Sequence, residues 1–97
     1  MEVKPLPYDL EIEEYCIKHI EKLTKKNAEL KKALDANIRQ VLENPTRFKP
    51  LHFPMQNKFR VHVLKSFGFI YSVDERGKTV KIEIFDHHDN LYEKGAQ

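Results

Sequence analysis

Apolar residues recur along this chain with two different periods. Ile12, Cys16, Ile20 and Leu23 are spaced by three and four, and Leu30, Leu34, Ile38, Val41 and Leu42 follow at helical spacing with Ala33 beside them. Each set makes one stripe on an α-helix. Asp9 is placed to cap the first helix, with Glu11, Glu13 and Glu14 in its first turn and Lys22, Lys25 and Lys26 near its end. Asn27 is placed to cap the second, and Asn44-Pro45 ends it. So short a join predicts an antiparallel helical hairpin. After Asn57 the period falls to two. Phe59, Val61 and Val63 alternate with Arg60 and His62, a second strand runs from about Phe67 to Val73, and a third carries Val80, Ile82 and Ile84 inward with Lys81 and Glu83 outward. Asp74 to Lys78 is a turn with Gly77 for a positive φ. Residues 45–57 hold Pro45, Pro50 and Pro54 and read as an irregular loop, and residues 2–7 as a possible edge strand. The expected fold class is α+β, one domain over residues 1–97, with an N-terminal helical hairpin on one face of a small antiparallel sheet.

Composition narrows the class. The chain has 97 residues, 40% hydrophobic and 33% charged, as expected of a globular domain. No apolar run approaches the length of a spanning helix, and the N-terminus lacks a signal-peptide pattern. Cys16 is the single cysteine, which excludes a disulfide framework and suits a reducing, cytoplasmic setting. The net charge of +2 conceals an asymmetry. From Asn44 to Val73 there is no acid, while Arg47, Lys49, Lys58, Arg60 and Lys65 contribute five positive charges. Such a segment attracts polyanions.

The candidate chemistry is RNA cleavage by the RNA's own 2′-hydroxyl. That reaction needs a base, an acid and cations around the phosphorus. Histidine suits either proton transfer because it titrates near neutrality. Arg60 and His62 share a strand face with side chains about 7 Å apart. His88 and Tyr92 lie on a separate segment and must converge on them. Base and acid cannot be assigned between the histidines from sequence. His87 is expected to point away from His88 if that segment is extended, and His19 to face solvent. A zinc site from His87, His88 and Asp89 with His52 or His62 is disfavoured, because adjacent residues rarely chelate one ion.

These segments together resemble the RelE/ParE superfamily, the mRNA interferases of type II toxin–antitoxin modules. Leu42-Glu43-Asn44-Pro45 is similar to the family's exit from its helical hairpin, and Lys49-Pro50-Leu51 to the loop before its second strand. Phe59-Arg60-Val61-His62-Val63, Phe69-Ile70-Tyr71-Ser72-Val73 and His88-Asp89-Asn90-Leu91-Tyr92 are similar to its strand and terminal motifs. His62 and His88 match histidines of the YafQ branch, and Tyr92 matches RelE's terminal tyrosine. Two positions depart. Gly68 stands where RelE has an arginine, and Ser66 where YafQ-like enzymes have an aspartate. The resemblance implies a metal-independent, ribosome-dependent endonuclease cutting codons in the A site. Its catalytic group would be Lys49, Arg60, His62, His88 and Tyr92, with Arg47, His52, Lys58 and Lys65 binding RNA. The implied partners are a cognate antitoxin, mRNA and the ribosome, with no membrane and no cofactor. A ParE-like or degenerate toxin acting through protein binding is the alternative.

Overall fold

A computed structural model of the chain describes residues 7–51 and 57–95, with side chains to Leu91. The elements are β1 (Asp9–Ile12), α1 (Glu14–Thr24), α2 (Ala28–Glu43), a 3-10 turn (Pro45–Arg47), β2 (Lys49–Pro50), β3 (Lys58–Val63), β4 (Phe67–Asp74), β5 (Thr79–His87) and α3 (His88–Gly95). The strands form one sheet in the order β1-β5-β4-β3-β2. The expected α+β class is the one observed, with a helical hairpin on one sheet face. Asn27 caps α2 as expected, its Oδ1 accepting from Leu30 N–H at 3.0 Å. No described helix is long and apolar enough to cross a membrane.

The main core lies between hairpin and sheet. Cys16, Ile20, Leu30, Leu34, Val41 and Leu42 meet Val61, Val63, Phe69, Tyr71, Val80, Ile82 and Phe85 there. Full burial of each large side chain is worth about 1.5–3 kcal/mol. The Tyr71 hydroxyl donates to the Pro45 carbonyl, tying the sheet to the 3-10 turn that follows α2. Burial pushes the Tyr71 phenol well above its ordinary pKa.

Several local expectations need correction. Asp9 does not cap a helix. It begins β1, whose residues 9–12 pair in parallel with residues 79–82 of β5, and α1 starts at Glu14 without a side-chain cap. Glu11 therefore belongs to a strand. The expected strand at residues 2–7 lies outside the described residues up to residue 6. Lys49-Pro50 is not loop but a short edge strand, with Lys49 opposite Arg60. Gly77 has no positive φ; Lys78 takes it, at 50°. A Cβ at Gly77 would lie 3.0 Å from Oδ2 of the exposed Asp74 side chain, a tight contact. Ile84 leaves the main core. The register shift at Ile70/Tyr71 puts Ile84 beside Ile70 on the opposite face. There Ile70, Ile84 and Leu91 form a second cluster with Leu51 against it. The segment after His87 is helical, not extended, and α3 lies over this second cluster.

Candidate active site

The site forms where the end of β3, the β3–β4 turn and the start of α3 meet. His62 is exposed on β3, paired in register with Gly68. The His88 N–H donates to the Ser66 carbonyl at 2.7 Å, which pins the first residue of α3 to the β3–β4 turn. The His62 and His88 rings then stack, with centroids 5.0 Å apart and planes within 10°. Around them His62, Lys65, Ser66, His87, His88 and Asp89 line an open cleft of about 420 Å³. Arg60 lies two residues back on the same strand, and Lys49 is across the ladder from Arg60.

The electrostatics distinguish His62. Its pKa is held below the ordinary histidine value, mainly because water is displaced from part of the ring, then by Arg60, His88 and Lys49. These surroundings favour the neutral imidazole, the form able to accept a proton. Rings this close leave no room for a phosphate between them, so a substrate meets their edges or parts them. Among the described residues no three His, Cys, Asp or Glu side chains come together as a metal site.

No family model matches the chain. RelE4 of Methanocaldococcus jannaschii, named as a candidate toxin, is 39% identical over 87 residues, covering 90% of this chain and 93% of RelE4. The chain belongs to the RelE/ParE superfamily. It is thereby a RelE-like toxin of the type II toxin–antitoxin class. Solved structures of lower identity share its fold. A YoeB/ParE toxin from Agrobacterium tumefaciens, 17% identical, superposes with a TM-score of 0.75 over 82% of this chain and 98% of its own. The E. coli RelBE toxin–antitoxin complex contains a chain 19% identical, with a TM-score of 0.69 over 80% of this chain and 93% of that one.

In this RelE-like toxin the predicted site residues divide. The fold gathers His62, His88, Arg60 and Lys49, and Lys65 joins them at the cleft. Lys58 is instead tied to Glu83, Nζ to Oε1 at 2.5 Å, within a pair that also takes the Ser72 hydroxyl. Burial pushes the Glu83 carboxyl up, but the hydrogen bonds from Lys58 and Ser72 outweigh it and hold the group below its ordinary range. Arg47 is on the 3-10 turn with its guanidinium 5.5 Å from the Phe48 ring centroid. His52 and the Tyr92 side chain lie outside the described residues. His87 does reach the cleft, tilted against Phe67 at 4.5 Å. His19 is not simply solvent-facing, since its Nε2 lies 3.4 Å from Asp86 Oδ1.

Ser66 and Asp89 enter the cleft by position in the turn and at the start of α3, which periodicity could not show. Gly68 has a packing reason. A Cβ there would lie 2.7 Å from Leu91 Cδ1 and 2.9 Å from the Val61 carbonyl oxygen. With α3 in place, no arginine fits at this position.

Proposed function

We propose that this toxin is a metal-independent endoribonuclease that cuts mRNA in the ribosomal A site. The observation that carries the reading is the stacked His62–His88 pair with Arg60 and Lys49 at its side. Neutral His62 takes the proton of the 2′-hydroxyl. The 2′-oxygen bonds to phosphorus, the bond from phosphorus to the 5′-oxygen breaks, and His88 gives that oxygen its proton. Arg60 and Lys49 steady the charge on the phosphorane. The products are a 2′,3′-cyclic phosphate and a 5′-hydroxyl. Tyr92 stacks on or hydrogen-bonds the substrate. Lys65 guides the backbone, with Arg47, Lys58 and His52 in supporting contact. Dependence on the ribosome follows the family resemblance. A cognate antitoxin covers the basic face; the similar E. coli RelE chain is itself solved in a toxin–antitoxin complex. The working compartment is the cytoplasm.

The test is cleavage of mRNA on programmed ribosomes, mapped by primer extension. His62→Ala and His88→Ala should each slow cleavage by about 10²–10⁴ while the protein stays folded. EDTA should have no effect. Wild-type rates in both variants would remove the histidines from the mechanism. A 3′-hydroxyl end with EDTA sensitivity would replace the scheme with a metal-dependent one. The departures at Gly68 and Ser66 keep a second reading in view, a ParE-like toxin acting on a protein. That toxin would leave the mRNA intact.

A further inference from the structure

We propose that Asp86 is a positioning residue, its buried carboxylate fixing the turn from β5 into α3 and so holding the His88 ring against His62. The proposal rests on the nuclease reading for its effect on rate, but not for its effect on structure.

Asp86 is the charged residue buried among the described residues, with 3% exposed. It stands opposite Gly68 in the sheet, next to the apolar cluster under α3. A carboxylate there is costly unless it is hydrogen-bonded, and an apolar side chain would be cheaper. What the carboxylate does that an apolar group cannot is accept. Its Oδ1 takes the His87 N–H at 2.8 Å and approaches Asn90 Nδ2 at 3.5 Å. These two donors bracket His88. The first turn of a helix leaves N–H groups without intrahelical partners and favours negative charge nearby. Two imidazoles flank the same oxygen, His19 Nε2 from α1 at 3.4 Å and His87 Nδ1 at 3.5 Å. The His19 approach suits ion pairing when the ring is protonated but is not aligned as a hydrogen bond. The turn is thus held from the sheet, from α1 and from within α3. The Ser66 carbonyl fixes the His88 backbone, while Asp86 fixes the residues on either side of it.

Two variants test this. Asp86→Asn keeps an acceptor oxygen and should retain both the His62–His88 ring-current shifts in NMR spectra and near wild-type cleavage. Asp86→Val fills the buried space without an acceptor. It should lower Tm, since the His87 N–H loses its acceptor, and at a temperature well below that Tm it should lose the ring-current shifts and lower kcat by about 10²-fold, with KM for programmed ribosomes little changed. A merely structural role would make activity follow Tm. Should the valine variant not fold, Asp86→Ala is read in the same way. Stacked rings and wild-type kcat in the variant lacking an acceptor would overturn the proposal, as would loss of stacking in Asp86→Asn as complete as in Asp86→Val. If the wild type cleaves nothing, the nuclease reading fails, and the ring shifts still decide the role of Asp86.

Discussion

His62 is a residue whose environment sets its chemistry. Displacement of water from the ring is the main reason its pKa lies below the usual value, and Arg60, His88 and Lys49 add repulsion. The neutral form that the proposed mechanism requires should therefore persist below the usual histidine pKa of about 6.5, and the acid limb of the cleavage profile should fall below that pH. The effect on stability has a definite sign. The unfolded chain takes up a proton at this site more readily than the folded one. The folded state loses stability as pH falls from about 6.5 towards the lowered value, and keeps it in full above. Arg60→Ala should raise the His62 pKa measured by NMR titration, and Lys49→Ala should raise it less. An unchanged or lower value in Arg60→Ala would mean that the guanidinium does not bear on the ring.

At the scale of elements, the site depends on α3 lying flat on β4 and β5. Leu91 seats on Ile70 and Ile84, and Gly68 leaves the space for it. Glycine inside a strand weakens the strand, and here close approach of another element accounts for it. Gly68→Val should cost about 1–3 kcal/mol of stability by overpacking. It should also lift α3, separating His88 from His62. Thermal unfolding and the ring-current shifts measure the two effects. Full stability with intact stacking would show that α3 and β3 leave more room than the contacts at 2.7 Å to Leu91 and 2.9 Å to the Val61 carbonyl allow.

Across the whole molecule, the acid-free segment becomes an uneven surface. Lys49, Arg60 and Lys65 gather around the histidines, while Lys58 is neutralised by Glu83. Ribosome binding should accordingly weaken with salt. Arg60→Ala and Lys49→Ala should each lower the salt slope by about one unit. Lys58→Ala should change it less. Equal slopes for wild type and both site variants would place the binding face elsewhere. An antitoxin occupying this face should compete with ribosomes for it.

Much of this was legible in the chain because it depends on neighbours in sequence. Helical spacing in residues 16–42, the Asn27 cap and the alternation of residues 59–63 follow from local geometry, with periods of 3.6 and 2. The basic segment and the pairing of His62 with His88 as candidates were also visible, the latter through family motifs. Other features depend on contacts between distant residues. The parallel pairing of β1 with β5 makes a strand of residues that would suit a helix cap. A one-residue register shift carries Ile84 to the other face, because side-chain direction alternates and a single slip reverses it. The turn into α3 brings His88 onto His62 and buries Asp86. The Glu83 carboxylate, a partner that the strand pattern does not reveal, pairs with Lys58. Alternation assigns faces within a strand, but only the paired sheet and the helix packed on it determine which side chains meet.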